Sequence, residues 1–455
     1  MQKIKVCCCL LLLLAMGASE SVAQVRFERP LGAVLAELEA QFGVKISARR
    51  CNPDTLSLAY ADFRRRPYSL SESLDNLLKP LGLVWREEKG RIVVQPYEYY
   101  RRTPADGERL LAWLSAKYSD RTSWEERREQ VLAGVRKALA MEPFLEALAE
   151  NPQVRLGRRV KHQGYTTQNY ALETLPGLYV CGTIYAPAKR GGKHPLILSP
   201  SGHWEGGRYR ADQQYRMATF ARMGTVAVDM DIVGWGESEE QIGREAHQQP
   251  YAMQLQLLWS KCVLDWVVAT RDDIDLSRMA ATGGSGGATH TLLLAVMDER
   301  LSVLAPVVHL VSHFDGGCPC ESGRAITLAA GGSCTPEILA AAMAPKPLLV
   351  VSDGGDWTAT YPTLEYPFLQ RIWGFYGAEQ CVENAHFPTE RHDYGENKRR
   401  AVYDFFARRL GLDPTQVDES KVRLQTPEAL QTFAGDWPEG AIRSQEALEQ
   451  LLARF

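Results

Sequence analysis

Apolar residues recur at helical spacing through Leu31–Phe42 and again at Leu70, Leu74, Leu77, Leu78 and Leu81, with short strand-length runs between and after them. The second helix opens on a Ser69-x-x-Glu72 capping box and stops at Gly82. Runs at Val25–Glu28, Val44–Ser47 and Leu56–Tyr60 predict strands, and Leu83–Arg86 with Arg91–Gln95 predict a hairpin across Glu88-Lys89-Gly90. The order over residues 24–97 is thus β-α-β-β-α-β-β, a small α+β module. Residues 98–157 are charged and rich in helix formers. Ser123-x-x-Glu126 predicts a helix reaching about Met141, so the segment reads as a helical brace.

From residue 158 the period changes to strands. Arg158–His162, Thr166–Glu173 and Leu178–Tyr185 read as an antiparallel opening, punctuated by Gly164, Pro176 and Gly177. Apolar runs then alternate with helical stretches: Pro195–Ser199, Thr225–Asp229, Arg278–Thr282, Ser302–Val308, Pro347–Val351 and Cys381–Asn384. Such alternation implies right-handed crossovers and an α/β fold, a doubly wound, mostly parallel sheet covered on both faces over residues 158–412. The helix Lys398–Leu410 would close it. Residues 413–455 read as a polar tail with one helix near Ser444–Arg454.

Composition narrows the partners. With 52 basic and 55 acidic residues, the chain has no basic excess for nucleic acid. Lys3 and Lys5 precede an apolar stretch from Val6 to Met16 and small residues ending Ser21-Val22-Ala23, the pattern of a secretory signal peptide spanning residues 1–23. That stretch is too short for a membrane span, and no second one follows. The expectation is a soluble mature protein, periplasmic or secreted. Seven cysteines then remain, of which Cys318, Cys320 and Cys334 fall in one glycine-rich region. An oxidising compartment favours a disulfide from Cys334 to one of the other two. A zinc site joining these thiols to His313 fits no common zinc spacing, so no metal or other cofactor is expected.

The chemistry centres on Met279–Thr289, MAATGGSGGAT. A strand driving into Gly283-x-Ser285-x-Gly287 and then an apolar helix is the setting of a nucleophile elbow, where a sharp turn lifts the serine hydroxyl above the sheet. A serine hydroxyl needs a base, and the base an orienting acid. In chain order after Ser285, the strand LLVV ends in SDGGDWT and ERHDYGENKR precedes the last helix. These assign Asp356 as acid and His392 as base, with Asp353 a competitor for the acid. His290 follows Ser285 on its own helix, with an axial rise of roughly 7.5 Å and a different azimuth, which excludes it as the base. His386 reads as packing, and His309 and His313 as pocket lining. The oxyanion donors expected are the Gly286 N–H and an N–H from His203 or Trp204 in PSGHWEGGR. Asp229-Met230-Asp231 with Gly234-Trp235-Gly236-Glu237 reads as a structural turn, Trp235 offering a stacking surface. Arg208, Arg210 and Arg244 lie in loops where one could recognise a uronate carboxylate.

The phrases GHWEGG, DMDIVGWGES, ATGGSGGATHT, SHFDGGCPCESG, VVSDGGDWT and ERHDYGENKRRAVYDFF, in this order, resemble bacterial α/β-hydrolases of the acetyl xylan esterase type and the related secreted esterases that demethylate pectic polysaccharides. The likeness spans roughly residues 110–412. It implies Ser285 as nucleophile, His392 as base and Asp356 as acid. Where such esterases often carry three glycines after the serine, this chain has Gly286, Gly287 and Ala288. The N-terminal module, through PLGAVLAELEAQFGVKIS and YSLSESLDNLLKPLGLVW, resembles the short N-terminal domain of secretins and TonB-dependent receptors, which implies a periplasmic contact role beside the alternative of a folded spacer.

The leading expectation is a secreted carbohydrate esterase removing acetyl or methyl groups from plant polysaccharide or oligosaccharide through a covalent acyl-enzyme. The alternatives are a serine peptidase of the prolyl oligopeptidase class, which lacks the expected propeller-like region here, and a non-catalytic docking protein.

Overall fold

The computed structural model describes residues 27–189 and 191–454. The leader read at residues 1–23, and the first half of the strand read at Val25–Glu28, lie outside the described residues.

The chain divides at Tyr99/Tyr100 into two units. In the first, β1 (Glu28–Pro30) pairs antiparallel with β3 (Ser57–Ala59), while β5 (Arg91–Pro96) lies between β2 (Ile46–Ala48), parallel to it, and β4 (Leu83–Glu88), antiparallel. The helix Leu31–Phe42 buries Leu31, Val34, Leu35 and Leu38, one stripe at i, i+3, i+4 and i+7. Facing it in the same core are Leu74, Leu77 and Leu78 of the helix Leu70–Leu78, whose Ser69 hydroxyl accepts from the Glu72 amide.

The second unit is built on one ten-stranded sheet. It opens antiparallel, with β6 (Val154–Leu156) and β7 (Val160–Lys161) both against β8 (Tyr165–Leu175), and β8 against β9 (Leu178–Pro187). Then β11 (Val226–Met230), β10 (His194–Pro200), β12 (Ile274–Gly284), β13 (Val303–Val307), β14 (Leu348–Asp353) and β15 (Val382–Phe387) run parallel in that order. The doubly wound α/β arrangement expected from the alternating pattern is what forms.

Strand alternation assigns each side chain to a face. Leu196 and Leu198 of β10, Met279 and Ala281 of β12, and Leu348 and Val350 of β14 join one core with the helices Ala252–Thr270, Gly286–Met297 and Thr335–Met343. Ile197, Ala280, Leu349 and Val351 point the other way, onto Met217, Phe220, Val402 and Phe406 of the helices Ala211–Arg222 and Glu396–Leu410. Each fully buried Leu or Ile contributes about 1.5–3 kcal/mol, so two continuous cores hold the strand ends in fixed register.

Two expectations need correction. The helix Arg121–Leu139 is capped by Asp120, whose carboxylate accepts from the Ser123 amide at 2.9 Å; Ser123 is three residues inside and reciprocates through its own hydroxyl. A carboxylate there also meets the positive end of the helix. The segment after Leu412 is not a polar tail. It buries Leu430, Phe433, Leu448 and Leu451, and Phe433 packs on Trp437 and edge-on to Tyr179. Among the described residues, no helix is long and apolar enough to cross a membrane.

Candidate active site

β12 ends at Gly284, and Ser285 follows at φ 53°, ψ −126°, a conformation that costs an ordinary residue roughly 1–3 kcal/mol. The surrounding glycines are a steric necessity. A Cβ at Gly287 would stand 2.3 Å from the Pro200 carbonyl oxygen, and one at Gly283 2.4 Å from the Gly287 carbonyl oxygen. The turn places Ser285 at the parallel end of the sheet, only 8% exposed.

Ser285, His392 and Asp356 meet there. His392 Nδ1 lies 2.5 Å from Asp356 Oδ2, and a carboxylate can only accept, so Nδ1 carries the proton. Nε2 is then the free acceptor, 3.0 Å from Ser285 Oγ. The other Asp356 oxygen accepts from the amide and hydroxyl of Thr358, both at 2.6 Å, which fixes the carboxylate plane. Burial pushes this carboxyl up, but the hydrogen bonds from His392 and Thr358 outweigh it and hold it below the usual carboxylate range.

Asp353 goes elsewhere. Its carboxylate pairs with the fully buried Lys398 ammonium at 2.9 Å. Lys398 also donates to the Arg391 carbonyl and to Asp393, so this knot supports the loop bearing His392. Two residues past His392, the Tyr394 hydroxyl meets Thr282 Oγ1 of β12 at 2.7 Å, tying that loop to the elbow strand.

Around the imidazole, Trp357 and Trp204 lie with ring centroids 4.6 and 5.6 Å away. Trp204 sits over Gly284 and Gly202, where any Cβ would collide with its ring. Its own amide donates to the Gly202 carbonyl at 2.9 Å, so that of the two expected donors His203, not Trp204, keeps its N–H open to a ligand oxygen. The His203 ring lies against Gly286.

The guanidinium assignments divide. Arg208 is not a substrate group: it is fully buried, bonded to Asp231 at 2.6 Å, Glu237 at 3.0 Å, the Thr183 hydroxyl and the Leu430 carbonyl. Glu237 in turn accepts the amides of Thr432 and Phe433, so Arg208 fastens the C-terminal segment. Arg210 pairs with Asp212 at 2.8 Å and lies over the Trp204 ring. Arg244 lies 3.5 Å above the Trp235 ring, covering part of the stacking surface expected there.

His309 is buried between Val308 (φ 50°) and Leu310 (φ 67°), a strained turn after β13, and meets Trp357 edge-on. His313 faces Glu365 Oε1 at 3.7 Å rather than the thiols. His386 bonds the Ser352 hydroxyl, as a packing residue does. The seven cysteines are free, and the disulfide expected from Cys334 is not formed; Cys334 is buried in the larger core at the head of the helix Thr335–Met343. Cys318 and Cys320 instead approach each other at 3.3 Å, beside His203. A hydrogen bond from Cys320 and the neighbouring His203 and His247 hold the Cys318 thiol well below its ordinary value, against burial.

Sequence reasoning missed Trp357, Tyr394, Lys398, His247 and Glu321. Trp357 directly follows Asp356, and Tyr394 and Lys398 lie two and six residues past His392; that proximity was the available signal.

Residues 178–344 match the family described as X-Pro dipeptidyl-peptidase (S15 family). No curated protein matches the chain by sequence. Among solved structures, the chain is similar to methylesterase BT1017, with 49% identity, a TM-score of 0.87 and coverage of 94% of this chain and 96% of that one. Weaker likenesses include a CE15 glucuronoyl esterase from Teredinibacter turnerae T7901 (14% identity, TM-score 0.48, 64% and 86% covered). Another is an acetyl xylan esterase from Paenibacillus sp. R4 (16% identity, TM-score 0.39, 66% and 98% covered).

Proposed function

Because this chain belongs to the α/β-hydrolase esterase family of methylesterase BT1017, we propose that it is a serine carbohydrate esterase acting on plant cell-wall polysaccharide, with methyl esters of uronic acids as its substrate class and acetyl esters as the alternative. The observation that carries the catalytic part is the His392 Nε2 to Ser285 Oγ approach at 3.0 Å, with Asp356 behind it.

Ser285 Oγ attacks the ester carbonyl while His392 Nε2 takes its proton. The oxygen turns negative and is met by the N–H groups of Gly286 and His203, each worth about 3–4 kcal/mol by the cost of deleting such a donor. Collapse expels the alcohol, which takes the proton back from His392, and leaves an acyl group on Ser285. Water then attacks, giving a proton to His392, and the carboxylic acid leaves as Ser285 is restored. Asp356 holds the imidazole in the productive tautomer throughout. On a methyl ester the first product is methanol; on an acetyl ester it is the sugar hydroxyl, and acetate follows.

Partner recognition by the N-terminal unit, and a periplasmic or secreted location, belong to the same proposal and rest on the sequence patterns alone.

A second reading is peptidase activity, favoured by the match of residues 178–344 to the X-Pro dipeptidyl-peptidase family. That stretch contains Ser285 but stops before Asp356 and His392.

The test is product analysis on a panel of methylated and acetylated plant polysaccharides, with an X-Pro anilide alongside. Methanol release supports the methyl-ester proposal, and acetate release moves it to the alternative. Anilide cleavage with neither product would replace it by the peptidase reading.

A further inference from the structure

Beside the Ser285 turn, three loops remote in sequence bring four soft donors together. His203 follows β10, His247 lies on the short turn Arg244–Gln248, and Cys318 and Cys320 flank Pro319. One ligand atom from each lies within 4.8 Å of all the others. Cys320 Sγ is 3.0 Å from His203 Nε2, Cys318 Sγ is 3.7 Å from the same nitrogen, and the two sulfurs are 3.3 Å apart.

We propose that His203, His247, Cys318 and Cys320 form a tetrahedral binding site for a zinc-class divalent ion, which staples the oxyanion loop to its two neighbours.

A tetrahedral ion with bonds of about 2.3 Å to sulfur and about 2.0 Å to nitrogen sets its donors roughly 3.3–3.8 Å apart. The three separations among His203, Cys318 and Cys320 differ from these by about half an ångström or less, and the ligand nitrogen of His247 lies within 4.8 Å of each of the others. The donor set selects the ion: two thiolates and two imidazoles suit zinc and disfavour magnesium or calcium, which require oxygen.

The histidines are also prepared for it. His247 Nδ1 donates to the Val233 carbonyl at 2.9 Å, which leaves Nε2 as the lone-pair nitrogen, and Nε2 is buried without a hydrogen-bond partner. His203 turns Nδ1 toward Glu321 Oε1 at 3.5 Å and Nε2 toward the sulfurs. A carbonyl or carboxylate behind each imidazole is the outer support that metal-bound histidines use to fix tautomer and basicity. Glu321 is itself held, accepting the Gly317 amide at 2.8 Å.

Four protein ligands leave no open position, so the ion is structural and takes no part in ester cleavage. Its binding displaces to solvent the protons that the four ligands still carry and breaks no covalent bond between heavy atoms. The inference therefore stands or falls apart from the identity of the ester, and it amends the expectation of no metal. The sequence pattern concealed it because the two histidines lie far from the Cys-x-Cys pair.

The experiment uses the full-length protein, reduced, stripped with a chelator and titrated with zinc(II) or cobalt(II). The expected result is about one ion per chain, a sulfur-to-cobalt charge-transfer band with tetrahedral visible bands, and a thermal midpoint raised by about 5 °C on adding zinc. Cys320→Ser and His247→Ala should lose the ion, Glu321→Gln should weaken it roughly 10–100-fold, and Cys262→Ser, outside the cluster, should bind like wild type. No stoichiometric zinc in the reduced wild type, a cobalt adduct without the charge-transfer band, or a Cys318–Cys320 disulfide that forms in preference to the zinc complex would each overturn the proposal. The wild-type cobalt spectrum needs no variant, so a misfolded substitution does not blunt the test.

Discussion

Asp353 and Asp356 share one loop, three residues apart, yet serve opposite partners: Asp356 Oδ2 meets His392 Nδ1 at 2.5 Å, and Asp353 Oδ2 meets Lys398 Nζ at 2.9 Å. The two carboxylates should therefore fail differently. Asp356→Asn should keep the fold and lower kcat by about 10⁴, since an amide can stabilise the wrong imidazole tautomer. Asp353→Asn should cost about 2 kcal/mol of stability by taking one of the carboxylates from the buried Lys398, which keeps Asp393. Paired kinetics and urea melts check this. A larger kcat loss in Asp353→Asn would exchange the roles.

Arg208 is predicted to be a stability residue. Arg208→Met leaves Asp231 and Glu237 buried without their cation, and breaking such a pair costs about 3–5 kcal/mol. A denaturant melt should show that loss. An unchanged melt with a raised KM would return Arg208 to the substrate site.

The pH profile follows from the state of Asp356. With its carboxyl held below the usual range, it stays ionised through the neutral range. The logarithm of kcat/KM should climb with a slope of about one and reach a plateau, as a single general base requires. A kcat/KM that does not depend on pH would remove His392 from that role.

His309 should make stability depend on pH. Burial holds its imidazole below the ordinary value, so on acidification the unfolded chain takes up the proton first. The stabilisation is complete above the unfolded value of about 6.5 and is lost as pH falls below it, by up to about 1.4 kcal/mol per pH unit. His309→Leu should flatten that part of the urea midpoint against pH. An identical slope in the variant would place the acid sensitivity elsewhere.

The sheet was legible because its strands are near-continuous apolar runs bounded by turn residues, as strands covered on both faces must be. The elbow was legible because only glycine fits at 283 and 287. The sequence favours Asp356 over Asp353 as the acid by its place further out from the strand, without showing their partners, since both follow the same strand and those partners come from a loop more than 30 residues on. Arg208 misled for a related reason: a guanidinium in a glycine-rich loop looks solvent-facing until Asp231 and Glu237 fold around it. The segment after Leu412 hid its packing because its few buried residues, Leu430, Phe433, Leu448 and Leu451, are too sparse to form a periodic stripe.

The most direct measurement is ester hydrolysis by wild type and Ser285→Ala, followed on a short aryl ester with the folded state of both checked by their melts. The account predicts that the variant loses about 10⁴-fold or more in kcat while remaining folded. Equal rates in the two proteins would contradict it.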